Sequence, residues 1–304
     1  MSLKTIGTAV ILAALLAVPF TGIYPVFVMQ IYCFAIFAFA FNLLLGYTGL
    51  LSFGHAAFFG FSAYVTGWLM AKHSVEPLSA ILAGMAVAAL MGYVIGGLAI
   101  RRQGIYLAMV TLALAQLVGF LCLEAPFTGG ENGLQGIHRG ALLGLLPLQS
   151  DHVLYYVILV IFLLVYALIM RIVHSPFGQV LKAIRENEPR AISLGYATQQ
   201  YKLLAFVLSA ALAGLGGSLK AIVLGFTTLS DVSQANSSEV ILMTLLGGTG
   251  TFAGPAVGAA LVVTLEHYLS DIAGSWVNVV MGAIFIACVI GFRRGLVGAF
   301  QKNL

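Results

Sequence analysis

Apolar runs of about 20 residues recur along the chain, and short polar segments separate them. A helix needs a run of that length to cross the hydrocarbon of a bilayer. The runs lack the alternation of apolar and polar residues that is typical of transmembrane β-strands. Because backbone polar groups in lipid must be hydrogen-bonded within a helix or a closed barrel, the pattern predicts membrane-spanning helices.

The pattern predicts an all-α, polytopic integral membrane bundle of about ten transmembrane helices, forming one domain over residues 1–304. The run 240–246 is too short to cross, and the glycine-rich segment 247–255 follows it. The eighth and ninth runs are therefore predicted either as two crossings or as a re-entrant pair beside eight crossings. The first run resembles a signal peptide but lacks a clear cleavage site, so we expect a retained helix. The predicted spans are 6–20, 25–45, 50–70, 78–100, 105–123, 152–170, 203–225, 240–246, 255–269 and 276–292.

Composition excludes a soluble fold, because 61% of the residues are hydrophobic and only 8% are charged. Soluble domains are about 25% charged. Cys33, Cys122 and Cys288 lie inside apolar runs without metal-like spacing, which is typical of small core residues. No metal site is expected.

The distribution of basic residues predicts the orientation. With the amino terminus inside, 11 of the 14 basic residues fall on the cytoplasmic side, and only Lys72, Arg139 and Lys220 fall outside. Most acidic residues are placed at or near the outer face. The positive-inside rule therefore predicts cytoplasmic amino and carboxyl termini. The basic residues placed inside are Lys4, Arg101, Arg102, Arg171, Lys182, Arg185, Arg190, Lys202, Arg293, Arg294 and Lys302.

The long cytoplasmic connection 172–202 carries helix-capping signals. Ser175 precedes Pro176 at the start of one predicted helix, Asn187 precedes a second and very short helix, and Gly195 is placed to end it.

The short helix is predicted to present the apolar side chains of Ala191, Ile192 and Leu194 to the cytosol. Such a helix suits insertion into a groove on a partner protein. The alternative is an amphipathic loop that lies on the lipid headgroups.

Several segments resemble a known family. Residues 188–195, Glu-Pro-Arg-Ala-Ile-Ser-Leu-Gly, resemble the Glu-Ala-Ala-x-x-x-Gly coupling loop of bacterial ABC importer permeases. Two departures from the family pattern are Pro189-Arg190, which replace an aliphatic residue and alanine, and Gly136-Ile137-His138, where isoleucine-proline is common. The segments 42–58, 128–134, 177–188, 201–206 and 247–255 resemble, in the same order, the M-type permease of branched-chain amino-acid importers.

The resemblance implies a multi-pass permease in the bacterial cytoplasmic (inner) membrane. Its implied partners are a second homologous permease, two ABC ATPases and an external solute-binding protein. The ATPases would use ATP, whereas this chain would bind no cofactor, contact lipid and bind no nucleic acid. The coupling residues would be Glu188, Ala191, Ile192, Leu194 and Gly195.

The resemblance also implies a substrate class. The transporter would carry leucine, isoleucine and valine by alternating access. Relatives serving urea, short amides or other amino acids are the alternative.

The residues independently argue against other functional classes. Neither a Gly-x-x-x-x-Gly-Lys-Ser/Thr phosphate loop nor a His-Glu-x-x-His or Gly-x-Ser-x-Gly motif occurs, so an enzyme is disfavoured. The carboxylates are expected at the membrane edges rather than in midplane pairs, which disfavours an ion-coupled secondary transporter. Glu266 and His267 are nearest to an intramembrane ionisable pair, and an interfacial position is favoured over a proton relay.

Polar and glycine residues at the second and third helices form a candidate translocation path. Two interpretations remain open: unwound backbone that lines a solute path, or a simple turn with Asn42 and His55 as interhelical contacts. The amide of Gln116 needs either a partner on another helix or a polar cavity. Small residues in 210–218 predict close helix packing. The candidate path residues are Asn42, Gly46, Thr48, Gly49, Ser52, His55 and Gln116.

Overall fold

A computed structural model describes residues 15–20, 22, 24–142, 146–273, 276, 279–284, 286 and 295–300. The predicted spans 6–20 and 276–292 lie largely outside these residues. Lys4, Arg293, Arg294 and Lys302 also lie outside them, so the positions of the termini stay predictions.

The described residues are predominantly helical, which confirms the all-α fold. Two antiparallel pairs of two-residue strands also occur: Leu134–Gln135 (β1) with Phe226–Thr227 (β4), and Ala141–Leu142 (β2) with Leu146–Pro147 (β3). Short 3-10 turns cover Val18–Phe20, Gly130–Asn132 and Leu229–Val232. The helices are α1 (Pro25–Thr48), α2 (His55–His73), α3 (Pro77–Ala99), α4 (Ile105–Glu124), α5 (Asp151–His174), α6 (Pro176–Glu186), α7 (Glu188–Ser193), α8 (Thr198–Leu224), α9 (Gln234–Gly247), α10 (Gly254–Ala273) and α11 (Gly295–Phe300). The strands are β1 (Leu134–Gln135), β2 (Ala141–Leu142), β3 (Leu146–Pro147) and β4 (Phe226–Thr227).

Helix α1 forms the centre of the bundle. Most of its side chains are buried, and it packs against α5, α8, α9 and α10. Helices α3, α4 and α5 bury only one side, as expected of helices whose other side contacts lipid. By length and composition, five described helices can cross a membrane: α1, α3, α4, α5 and α8. The total number of crossings stays a prediction.

Small residues allow α8 to approach its neighbours closely. A Cβ atom at Gly214 would overlap Ala88, and one at Gly217 would overlap the carbonyl oxygen of Phe59. The predicted close packing is therefore confirmed, since larger side chains would force α2 and α3 away from α8.

Helix α2 begins at His55, so the predicted start at residue 50 is wrong. Helix α1 ends at Thr48. Gly49 follows in the left-handed conformation with a φ of 74°, and the next five residues are not helical. The N–H of Phe53 donates to Thr111 Oγ1 at 3.2 Å, and Thr111 lies about 9 Å along α4 from Ile105. The chain thus turns back into the bundle before α2 begins. Hydropathy cannot detect this break because Leu50, Leu51 and Phe53 continue the apolar run.

Helices α9 and α10 form a hairpin around the glycine-rich segment. With 14 residues, α9 is about 21 Å long, which is shorter than the hydrocarbon core of about 30 Å. Its Ser237 Oγ accepts from the N–H of Ala56 at 2.9 Å, so α9 starts beside the buried start of α2. This arrangement favours the re-entrant interpretation for α9. The α9 helix is longer than the predicted 240–246, because polar residues at 234–239 continue the helix without raising its hydropathy.

Hydrogen bonds within the loop and to α8 hold the long connection between α4 and α5 in place. Thr128 Oγ1 donates to the carbonyl of Cys122 at 2.6 Å. Arg139 donates to the carbonyl of Ile222 at 3.3 Å and pairs with Asp151 at 2.5 Å. The segment 128–133 therefore forms a structured turn.

Candidate functional site

The capping signals in the connection 172–202 form as predicted. Ser175 Oγ accepts from the N–H of Gly178 at 3.4 Å at the start of α6. Asn187 Oδ1 accepts from the N–H of Arg190 at 3.0 Å at the start of α7. Gly195 follows α7 with a φ of 88°, the left-handed conformation that glycine favours. Two consecutive short helices, α6 and α7, therefore have fixed ends.

The carboxylate of Glu188 fixes the position of α7. Glu188 Oε1 lies 2.5 Å from Lys202 Nζ on α8, and Glu188 Oε2 accepts from Gln103 Nε2 at 3.1 Å. The Lys202 side chain is only 5% exposed and that of Glu188 is 19% exposed. The sequence pattern does not predict this contact, because no local spacing relates residues 188 and 202. Glu188 therefore joins α7 to the membrane bundle.

The apolar residues of α7 divide into two groups. Ile192 and Leu194 are 55% and 69% exposed, whereas Ala191 is 2% exposed. The prediction that all three face the cytosol is wrong for Ala191. The helix ends at Ser193, so Leu194 leaves the helical register, and the side of α7 that carries Ala191 packs against the protein. Two neighbouring large apolar side chains are left for a partner.

A groove lies beside α6 and α7. Its volume is about 600 Å³, and the rings of Phe177 and Tyr201 stack in its wall with centroids 5.8 Å apart. Tyr196 meets Tyr201 edge to face at 6.2 Å. The lining residues are Pro176, Phe177, Gln179, Val180, Ala183, Tyr196 and Tyr201.

Arg185 connects this loop with the bundle. Its guanidinium donates to the carbonyl oxygen of Gly46 near the end of α1. A Cβ atom on Gly49 would lie 3.2 Å from Arg185 Cγ, and one on Gly250 would lie 3.3 Å from Arg185 Nη1. Helix α6, the end of α1 and the glycine-rich segment therefore meet at one point.

Asn42 holds the glycine-rich segment against α1. Its side chain is buried, with Nδ2 donating to Thr251 O at 3.0 Å and Oδ1 accepting from Gly250 N at 2.9 Å. A Cβ atom on Gly46 would lie 2.7 Å from Gly250 N, so this contact requires glycine at position 46. Gly46 lies within α1, whereas Gly49 begins the non-helical stretch that precedes α2.

His55 occupies a buried position at the start of α2. Its Nε2 lies 2.7 Å from Ser209 Oγ, and that hydroxyl donates to the carbonyl of Ala40. The His55 Nε2 therefore carries the proton, and its Nδ1 has no hydrogen-bond partner among the described residues. The rings around it belong to Phe37, Phe41, Phe58 and Phe206.

The remaining candidate path residues also contact protein groups. Thr48 Oγ1 donates to Leu44 O, and Ser52 Oγ accepts from Gly54 N at 3.4 Å. Gln116 is exposed, and its amide lies 3.5 Å from that of Gln234 on α9, which gives it a partner on another helix. The contact of Gln116 is interhelical, those of Thr48 and Ser52 are local, and a role of these residues in the solute path stays a prediction.

Two acidic residues lie on α9 and α10. Glu239 on α9 has a buried Oε1 without a hydrogen-bond partner among the described residues, whereas Glu266 on α10 is exposed. Glu266 lies about 18 Å along α10 from Gly254, near the middle of the helix. His267 instead stacks on Phe27 at 4.7 Å. Glu266 and His267 are both exposed, and their position at the membrane interface stays a prediction.

Comparison with known proteins places these contacts in a family context. Residues 25–289 match the family model described as branched-chain amino acid transport system / permease component. The LivM permease protein of the high-affinity branched-chain amino acid transport system of Escherichia coli is 29% identical over 286 residues, covering 86% of this chain and 67% of that protein.

Other relatives are named for more than one solute. A probable branched-chain amino acid permease LivM of Methanocaldococcus jannaschii is 25% identical over 66% of this chain and 59% of its own length. The autoinducer 2 import permease LsrC of Yersinia enterocolitica is 26% identical over 76% of this chain and 69% of its own length. No solved structure matches.

Proposed function

Since this chain belongs to the branched-chain amino acid transport permease family and is a LivM-type permease, we propose that it translocates leucine, isoleucine and valine as the membrane subunit of an ATP-driven importer. Family members are permease components of multi-pass inner-membrane transporters, so this subunit itself is not an enzyme. The family implies ATPase and binding-protein partners. The proposed assembly has two permease chains, two ATPases that bind the ATP, and one external binding protein.

The observation that carries the coupling part of this proposal is the α7 helix, which is anchored at one end and exposed at the other. Glu188 binds the buried Lys202, while more than half of the surface of Ile192 and of Leu194 is exposed. An anchored helix transmits force, and exposed apolar residues in a cytosolic loop suit a groove on a partner. We assign this contact to the ATPase.

The groove beside α6 supplies a second part of that contact. Aromatic residues such as Tyr are enriched in protein interfaces because they bury a large rigid area. Phe177, Tyr196 and Tyr201 surround a volume of about 600 Å³, and Tyr196 follows closely after Leu194 in the chain. A side chain from the ATPase would fill this groove while Ile192 and Leu194 enter the ATPase.

Arg185 provides the route from the loop to the bundle. A displacement of α6 would move the guanidinium that binds Gly46 and lies against Gly250. Asn42 connects the same segment to α1. Closure of the ATPases would thus shift the α9–α10 hairpin relative to α1, which is the rigid-element motion that alternating access requires.

The substrate assignment rests on the relatives. The E. coli relative is named for branched-chain amino acids, whereas the Yersinia relative is named for autoinducer 2, so the family carries more than one solute class. The E. coli protein matches 86% of this chain and the Yersinia protein matches 76%, which favours amino acids.

Uptake into proteoliposomes tests the substrate and the coupling together. The complete complex should accumulate radiolabelled leucine, isoleucine and valine when ATP is inside and the cognate binding protein is outside. Urea and acetamide serve as competing substrates, and uptake of these instead would overturn the amino-acid assignment. The variants Ile192→Asp and Leu194→Asp should lose ATPase stimulation, while Ser193→Ala, between them, should retain it.

A further inference from the structure

An amide side chain is exposed at the middle of helix α4. Gln116 lies about 16 Å along α4 from Ile105 and about 12 Å from Glu124, in a helix that is long and apolar enough to cross a membrane. Its side chain is exposed. An exposed amide at this depth is costly in hydrocarbon, because lipid tails offer no hydrogen-bond partner. The surface around Gln116 therefore requires a polar neighbour.

The exposed sides of two other outer helices differ from that of α4. At the middle of α3 the exposed residues are Ala86 and Leu90, and at the middle of α5 they include Val160 and Leu164. These side chains are aliphatic, as expected of surfaces that contact lipid tails. The apolar windows of α3, α4 and α5 are buried to the same extent, so Gln116 distinguishes α4 by its chemistry and not by its exposure.

A second amide is exposed beside the first. Gln116 Nε2 lies 3.5 Å from Gln234 Oε1, and Gln234, at the start of α9, is exposed as well. Each amide has two N–H donors and one carbonyl oxygen. Their contact uses one donor and one acceptor, and the described residues supply no partner for Gln116 Oε1 or for Gln234 Nε2. The pair therefore offers both donors and acceptors to a neighbouring molecule.

Non-helical backbone lies at the same depth. The 3-10 turn Leu229–Val232 precedes α9 and carries the exposed Ser230. This turn lies beside the middle of α4, because a Cβ atom on Gly119 would lie 4.0 Å from Val232 Cγ1. Irregular backbone at membrane depth is tolerated where protein or a water-filled cavity covers it, and not where lipid does. The turn and the two amides thus indicate the same kind of surrounding.

We propose that the face formed by Ala113, Gln116, Phe120, Ser230 and Gln234 packs against the second permease chain of the transporter. Residues 113, 116 and 120 are spaced by three and four, so they share one side of α4. Helices in lipid associate through small residues and side-chain hydrogen bonds, which Ala113 and the two amides supply.

The depth of this face determines which partner covers it. A partner at the middle of the hydrocarbon must itself span the membrane. In the proposed assembly the ATPases and the binding protein lie outside the bilayer, and the second permease lies within it. This inference rests on that assembly.

Photocrosslinking in the purified complete complex tests the contact. p-Benzoylphenylalanine replaces Ala113, Gln116 or Phe120 in separate variants, which are reconstituted in lipid and irradiated. Each variant should form an adduct between this chain and the second permease, identified by peptide mass spectrometry. Leu164, which is exposed near the middle of α5, is the matched control position and should form no protein adduct.

The other outcomes of this experiment overturn the proposal. Adducts with lipid alone would place the α4 face in the bilayer, and adducts with the ATPase or the binding protein would assign it to a different partner. Equal cross-linking to the second permease from position 164 would show that the contact is not specific to this face.

Replacement of the amide gives a result whose sign depends on the surroundings. Gln116→Leu should lower the amount of second permease retained in detergent about threefold or more, because an interhelical hydrogen bond is lost. Leu164→Ala should retain the wild-type amount. If α4 faced lipid, Gln116→Leu would leave the assembly intact and raise Tm, since an exposed amide would be removed from hydrocarbon.

The composition of the purified complex separates this inference from the proposed function. A complex with a single permease chain would contradict the proposed assembly itself. If the complex contains two permease chains and position 116 cross-links to lipid alone, the assembly stands and only the interface is wrong.

Discussion

The ammonium of Lys202 lies 2.5 Å from the carboxylate of Glu188, and this ion pair joins the short cytosolic helix α7 to the long helix α8. Lys202 is nearly inaccessible, so its charge has little access to water. Removing one partner of such a buried pair destabilises the protein by far more than the intact pair stabilises it, because the remaining charge stays desolvated. The pair therefore makes the position of α7 dependent on α8.

We predict that Glu188→Lys uncouples ATP hydrolysis from transport. The substitution places two ammonium groups together and costs about 3 kcal/mol in the attachment of α7. The exchanged pair Glu188→Lys with Lys202→Glu should recover part of the uptake. ATPase stimulation and leucine uptake, measured on the same vesicles, give the coupling ratio. An exchanged pair no better than Glu188→Lys would show that the charges act separately.

Gly195→Leu should weaken assembly with the ATPase. The left-handed conformation at φ 88° costs a branched residue about 1–2 kcal/mol, whereas a Cβ atom added at Gly195 would meet nothing within 4 Å among the described residues. The effect is therefore conformational and not steric. Gly195→Asn is the matched control, since asparagine tolerates this conformation. The amount of ATPase that co-purifies should fall for the Gly195→Leu variant and stay near the wild-type level for the Gly195→Asn variant. Equal losses in both variants would contradict the conformational explanation.

Asn42→Ala should destabilise the α9–α10 hairpin. It removes the two part-buried hydrogen bonds to Gly250 and Thr251 and leaves both backbone groups without that partner, at a cost of about 1–2 kcal/mol. Thermal unfolding in detergent should show a lower Tm. The exposed Asn132→Ala in the outer connection should leave Tm unchanged. An unaltered Tm for Asn42→Ala would mean that the glycine-rich segment holds its position without this side chain.

Accessibility labelling should place α7 in the cytoplasm. A single cysteine at the exposed Arg190 is expected to react with an impermeant maleimide only in inside-out vesicles, and one at the exposed Glu131 only in right-side-out vesicles. The asymmetry of basic residues supports this orientation. Reaction of the Arg190→Cys variant from outside would reverse the orientation and remove the ATPase contact.

Features that depend on local pattern could be predicted from the sequence. The predicted helix caps form at Ser175, Asn187 and Gly195, because a few neighbouring residues decide whether a cap forms. The small residues of α8 pack closely, as their spacing indicated. The predicted start of α2 was wrong, since a non-helical apolar stretch and an apolar helix have the same hydropathy.

Long-range contacts could not be predicted in this way. The pairing of Glu188 with Lys202 and that of Asn42 with Gly250 depend on how distant helices assemble. Because the first residues of α9 are polar, hydropathy placed Glu239 in a loop rather than in the helix. One sequence without its relatives carries no signal for such pairs.

The short length of α9 has a consequence for how the chain is made. A helix of about 21 Å that carries asparagine, serine and glutamate near its start is poorly suited to partition from the translocon into lipid unaided, since a central acid alone opposes insertion by about 3 kcal/mol. Its polar groups find partners on other helices, among them α2 and α4. We therefore expect an order of biogenesis in which the amino-terminal helices assemble first and form a protein-lined cleft, and the α9–α10 hairpin enters that cleft late.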